Sequence, residues 1–176
     1  MAKAYVLIVN ESGTEDSVIS NLNTIETVKE AHGTFGSYDI LTKLESNDEQ
    51  KIQKDISNKI RKIQNIRSTL TLIVNEKENL RKINKSEKEI LEKYMAQAFV
   101  SIHCNRSQES NVLQNLKEIS EVIEADVLVG SFEIICKIVA PTYNEISDVV
   151  SKKIRKIGNI QSTITLNVIA NQGFSK

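Results

Sequence analysis

Little in this sequence is available for covalent or metal cross-linking. Cys104 and Cys136 are the only cysteines among 176 residues, too few and too irregularly spaced for a disulfide framework or a zinc site, and a reducing compartment is the natural setting. Tryptophan is absent and phenylalanine and tyrosine number four each, with no aromatic-basic cluster of the kind an RNA-recognition sheet needs. Basic and acidic side chains both total 23, which leaves no net charge to draw the protein to nucleic acid or an anionic membrane. Long apolar runs are missing too: Met1-Ala2-Lys3 leads into Ala4 to Val9, far shorter than a signal-peptide core or a membrane span. These absences predict a soluble, cytoplasmic protein without metal or cofactor. The 40% of residues that are hydrophobic suffice for ordinary cores.

What the chain does have is a duplication. Thr34-Phe35-Gly36-Ser37-Tyr38-Asp39-Ile40-Leu41 returns as Leu128-Val129-Gly130-Ser131-Phe132-Glu133-Ile134-Ile135, an offset of 94 that holds without a gap from Ala4–Val74 to Ala98–Val168. About 29 of the 71 paired positions are identical, so one unit is present twice, and a unit of that length is a domain rather than a solenoid repeat. In both copies a Gly-Ser pair between apolar runs predicts a two-residue type II′ hairpin. A carboxylate, Asp39 or Glu133, follows two residues after the turn.

The remaining signals place elements around that hairpin. Ala4 to Val9 and Ala98 to His103 read as strands. Ser12 and Glu15 form a capping-box pair ahead of Val18, Ile19 and Leu22, and Ser107 is the matching cap ahead of Val112, Leu113 and Leu116. The hairpin strands run over 28–35 and 38–45, and over 122–129 and 132–139. A second helix opens at Ser46-Asn47-Asp48-Glu49 and at Pro141 to Glu145. Its residues Ile52, Ile56, Ile60 and Ile63, repeated as Ile146, Val150, Ile154 and Ile157, share one helical face. The last strands, Ser68–Val74 and Ser162–Val168, put Thr69, Thr71, Thr163 and Thr165 on one face by alternation.

The order strand, helix, strand, strand, helix, strand, twice over, predicts an α+β protein of two tandem ferredoxin-like βαββαβ domains with antiparallel four-stranded sheets. The expected boundaries are 1–75 for the first domain, 76–97 for a helical linker, 98–170 for the second domain and 171–176 for a frayed tail. The linker is rich in Glu and Lys, with Leu80, Ile83, Ile90, Leu91 and Tyr94 at helical spacing and Ser86 with Glu89 as a cap. The first strand of copy one is apolar on both sides, Tyr5, Leu7 and Val9 alternating with Val6 and Ile8, so its sheet needs a cover on the helix-free face. The second copy is the expected cover, giving an intramolecular pseudo-dimer.

Each copy resembles the ligand-binding domain of the Lrp/AsnC, or feast/famine, transcription regulators, also called the RAM domain. The resemblance rests on Ala4-Tyr5-Val6-Leu7-Ile8, Val28-Lys29-Glu30-Ala31, Gly36-Ser37-Tyr38-Asp39-Ile40, Lys59-Ile60-Arg61-Lys62-Ile63 and Ser68-Thr69-Leu70-Thr71-Leu72. Copy two departs from it with Phe132 and Glu133 in place of Tyr and Asp, and with Ser101 and His103 in its first strand. The resemblance implies dimers made by sheet packing and small amino-acid-like effectors bound between domains. By the same resemblance, Gly36, Ser37, Asp39, Thr69 and Thr71 are carried over as a ligand site, with Gly130, Ser131, Glu133, Thr163 and Thr165 as counterparts. Such domains normally follow a helix-turn-helix, and these 176 residues contain none.

The expected function is therefore a non-enzymatic, oligomeric sensor or interaction protein in transcription regulation. It binds an amino-acid-like effector, itself and full-length Lrp/AsnC regulators, without sequence-specific DNA binding of its own. Plainer roles stand beside each site residue: the glycines serve turn geometry, the acids are solvated, and the threonines are ordinary strand formers. The basic runs at 59–62 and 152–156 suit the ends of helices. His32 and His103 have no partner at a recognisable spacing, so neither is assigned a metal or an acid-base role. The alternative is a cofactor-free or haem-related enzyme on a dimeric ferredoxin-like fold, with His103 directed into a cavity.

Overall fold

A computed structural model describes residues 1–130 and 133–176 and divides into two units, Met1–Val74 with Ile169–Lys176, and Asn75–Val168. In the first unit, β1 (Ala2–Asn10), α1 (Glu15–Asn23), β2 (Val28–Phe35), β3 (Ile40–Ser46), α2 (Glu49–Asn58) and the start of β4 (Ile66–Arg81) follow the predicted order. Their strands lie β4-β1-β3-β2, the ferredoxin-like arrangement. The second unit repeats it with β5 (Ala96–Cys104), α4 (Glu109–Lys117), β6 (Val122–Val129), β7 (Ile134–Ala140), α5 (Tyr143–Asp148) and β8 (Ile160–Ser175), ordered β8-β5-β7-β6. The fold class is α+β.

Both helices of each unit cover one sheet face and bury its apolar residues. Ala4, Val6 and Ile8 of β1 meet Val18 and Leu22 of α1 and Ile52 and Ile56 of α2, and all are buried. Val100, Ile102, Val112, Leu116, Ile146 and Val150 form the same core in the second unit. At about 1.5 to 3 kcal/mol for each large side chain buried, these rows are the main stabilising contribution.

Three local expectations are corrected. The first helix begins after Thr14 rather than Ser12, and its counterpart after Gln108 rather than Ser107, neither side chain making a capping hydrogen bond; Gly13 (φ +85°) and Ser107 (φ +68°) belong to the preceding turn. Residues 75–81 are not helical: they prolong β4 beside β6, Leu80 packs on the second core, and the Lys82 N–H donates to the Ile123 carbonyl at 3.1 Å. Only α3 (Lys85–Tyr94) is helical there, and its capping box joins Asn84 to Glu87 rather than Ser86 to Glu89. The terminal residues are strand rather than frayed tail. The Lys176 N–H donates to the Lys29 carbonyl at 2.8 Å and Phe174 packs on the first core, so this end of β8 belongs to the first unit, beside β2.

The helix-free faces are less apolar than expected. In the first unit, Tyr5 pairs across the strands with Lys43, and Lys43 with Glu30. All three are buried, with Lys43 Nζ 3.7 Å and His32 Nε2 3.2 Å from the Glu30 carboxylate. In the second unit Phe99, Lys137 and Glu124 occupy the equivalent places, and Asp126 replaces His32. Here the end of β4 and α3 supply the partners: Arg81 Nη2 lies 2.9 Å from both Asp126 carboxylate oxygens, Lys88 Nζ 3.3 Å from Glu124, and Lys137 Nζ 2.5 Å from Glu92. Charges this deeply buried persist only when paired.

Candidate ligand site at the hairpin ends

The hairpin connection is wider than a two-residue turn. In the first unit it comprises Gly36 to Asp39, with β3 starting at Ile40. The Thr34 N–H donates to the Asp39 carbonyl at 2.8 Å, and the Thr34 hydroxyl to the Tyr38 carbonyl at 2.8 Å. Gly36 at φ +146° takes a conformation open to glycine. Gly36 and Ser37 are exposed, and Phe35 beside them is 68% exposed. In the second unit Gly130 has φ +149°, Val129 is 63% exposed and the Leu128 N–H donates to the Glu133 carbonyl at 2.7 Å. Ser131 lies outside the described residues.

The acid after the hairpin braces the end of the neighbouring strand. Asp39 sits beside Val9, its N–H donating to the Ile8 carbonyl at 2.8 Å and its Oδ2 accepting the Asn10 N–H at 3.0 Å. Asn10 in turn donates through Nδ2 to Thr14 and Glu15, which joins the hairpin end to the start of α1. Glu133 repeats the brace, accepting the Cys104 N–H at 3.1 Å. It also does something Asp39 cannot: its Oε2 lies 2.7 Å from Nδ1 of His103. This partner was missed in the sequence, although the register was a usable signal. Ile102 pairs with Ile134, so His103 and Glu133 stand opposite one another. Burial, followed by the Glu133 and Glu109 carboxylates, pushes the Cys104 thiol up to about 11, and burial pushes Cys136 up to about 12.

The threonines are not gathered around the acid. Thr69 and Thr71 pair with Ile8 and Val6, and Thr163 and Thr165 with Ile102 and Val100, so all four lie on the helix-covered face. Asp39 and Thr69 flank the same end of β1 from opposite sides, roughly 10 Å apart as two strand spacings, and Thr71 lies one step further in. The Thr71 hydroxyl is buried without a hydrogen-bond partner, as is that of Thr42 across Val6, while Thr163 accepts from Arg155 Nε at 2.9 Å. The structure thus brings Gly36, Ser37 and Asp39 together, and likewise Gly130 and Glu133, and leaves the hydroxyls apart. Surface depressions of about 340, 480 and 330 Å³ within the units are lined by none of these residues.

Among the described residues no group of three or more His, Cys, Asp or Glu is placed to hold a metal ion, and no helix is long and apolar enough to cross a membrane. The family model of the Lrp/AsnC ligand binding domain matches residues 3–81 and again 97–172. No curated protein matches the chain. A protein of Pyrococcus horikoshii is 35% identical over 43% of this chain and 90% of its own, with a TM-score of 0.41. The siroheme decarboxylase NirDL shares the fold over 99% of this chain and 72% of its own, with a TM-score of 0.71 at 10% identity. An anthrone oxidase-like protein shares it over 99% and 92%, with a TM-score of 0.62 at 8% identity. These full-length likenesses overturn the expectation of a non-enzymatic protein, because the same fold carries enzymes. At such identities they establish the fold alone.

Proposed function

Since the chain belongs to the family of the Lrp/AsnC ligand binding domain, we propose that it is a tandem effector-binding protein related to those regulators, with Asp39 as the anchor for the ammonium group of an amino-acid-like ligand. One observation carries this reading. The Asp39 carboxylate is held in place by the Asn10 N–H, carries no ion pair among the described residues, and adjoins the exposed Gly36 and Ser37. A fixed carboxylate beside free hydroxyl and amide donors suits a ligand bearing an amine and a carboxylate. The threonines act behind this anchor, as supports from the helix-covered face. A thermal-shift screen against amino acids tests the reading: at least one should raise the midpoint in wild type and leave Asp39→Asn unchanged. Equal shifts in both proteins would refute it.

Assembly belongs to the same proposal. Tyr5 and Leu7 make the helix-free face of the first copy worth covering, and a linked second copy offers itself at about millimolar effective concentration. The two copies pair within the chain as a pseudo-dimer. Such chains associate further, with one another and with full-length regulators, through hairpin ends that expose Phe35 and Val129. Light scattering that finds a strictly monomeric chain would rule this association out.

A second reading is catalytic, and the His103–Glu133 pair favours it. A carboxylate on Nδ1 fixes the imidazole and leaves Nε2 to exchange protons with a ligand. Incubation with siroheme, the substrate class named for NirDL, and mass spectrometry for loss of carboxyl groups would test it. Turnover that survives His103→Val, or no turnover at all, counts against it.

A further inference from the structure

The duplication supplies an internal control for the hairpin acid. Both carboxylates brace the same backbone position, Asp39 on the Asn10 N–H at 3.0 Å and Glu133 on the Cys104 N–H at 3.1 Å. Both follow the same pairing, Ile8 with Ile40 and Ile102 with Ile134. The decisive difference is the side chain on the first strand beside them. Val9 has no polar atom to offer Asp39. His103, at the position equivalent to Val9, sets Nδ1 2.7 Å from Glu133 Oε2, with its own side chain 40% and that of Glu133 15% exposed.

We propose that His103 is a built-in occupant of the second copy's site, so that the two copies are chemically unequal: the first takes a ligand bearing an ammonium group and the second refuses it. An ammonium ion approaching Glu133 must displace the imidazole, whose Nδ1 already lies 2.7 Å from the Oε2 it would bind. The ring also stands in the space beside that oxygen which an ammonium group would need. Approaching Asp39, it meets no side-chain ion pair among the described residues. What the second site presents instead is the imidazole Nε2, which suits a ligand group without positive charge. The inference rests on the reading of Asp39 as an ammonium anchor, and makes His103 the residue that sets specificity between copies.

The test is a titration of the whole protein with glycine, the part common to amino acids, and with acetate, which lacks the amine, following the side-chain carboxyl carbons of Asp39 and Glu133 by NMR. In wild type, glycine should move the Asp39 signal and not that of Glu133, and acetate neither. His103→Val, which installs the residue found at position 9, should make Glu133 respond to glycine with an apparent Kd within about tenfold of that of Asp39. His103→Gln, polar but never charged, should give a smaller response. Equal responses of the two acids in wild type, or a Glu133 that stays silent in both variants while Asp39 responds, would overturn the inference. Silence of both acids in every protein would refute the ammonium reading itself and the inference with it.

Discussion

Arg81 illustrates how the extension of β4 stabilises the second unit. Asp126 is fully buried, and Arg81 Nη2 lies 2.9 Å from each of its carboxylate oxygens, while Nη1 donates to the Ala125 carbonyl at 3.2 Å and Nε lies 3.6 Å from Glu124. Arg81→Met keeps the aliphatic stem but breaks this buried ion pair, a loss of about 3 to 5 kcal/mol. At roughly 2 to 4 °C per kcal/mol for a chain of this size, the melting point should fall by roughly 6 to 20 °C. Replacing both partners, with Arg81→Met and Asp126→Leu together, should recover much of the loss, because the buried carboxylate is then gone as well. Urea unfolding followed by circular dichroism gives the magnitude, and hydrogen exchange of peptides from β6 and β7 shows whether the second unit is the part affected. A cost for Arg81→Met below about 1 kcal/mol, the level of an exposed surface pair, would refute the reasoning.

Other perturbations test separate parts of the structure. Gly173 has φ +156°, and an added Cβ would lie 2.3 Å from the Ala31 carbonyl, so Gly173→Ala should cost about 1 to 3 kcal/mol. At Gly33 an added Cβ meets only side-chain atoms of Gln172, the nearest 2.0 Å away and free to rotate aside, so Gly33→Ala should cost less; the reverse order in melting points would show that the last strand is not held as described. Both cysteines have thiols raised above the ordinary 9.0, to about 11 and about 12, by burial. Their contribution to stability is therefore complete below pH 9 and lost as pH climbs through the raised values. The urea midpoint should fall above pH 9, and rapid labelling of either thiol in the native protein at pH 8 would contradict their burial. With no net charge, the protein should bind DNA only weakly and lose that binding at physiological salt; a mobility shift that persists there would show otherwise.

The parts of the fold that were legible in the sequence depend on periodicity, and periodicity is local. Ile52, Ile56 and Ile60 announce one helical face in either copy, and the constant offset of 94 carries each element from one copy to the other. What was not legible depends on partners distant in sequence. Asn75 to Arg81 is polar enough to pass for a helix, and becomes strand because β6 offers a backbone edge and Asp126 a counter-ion. Phe174 looks like part of a loose tail until the first core is there to receive it. Lys43 and Glu30 are charges on separate strands, and only the register shows that they pair across β2 and β3 on a buried face. The hairpin acid was visible as a candidate from its position after Gly-Ser. Its tie to the neighbouring strand, and the His103 beside only one of the two acids, required the register. The threonines were seen to share a face, but which face needed the helices in place.

The central claim is that Asp39 holds the ammonium group of the effector. Isothermal titration of the best ligand from the amino-acid screen into wild type and Asp39→Asn tests it most directly. The variant keeps an oxygen acceptor for the Asn10 N–H, so the fold should be retained while about 1 to 3 kcal/mol of affinity, roughly fivefold to more than a hundredfold in Kd, is lost. Equal affinities for the two proteins, with circular dichroism showing both folded, would mean that the carboxylate only braces the strand end and that the ligand, if any, binds elsewhere.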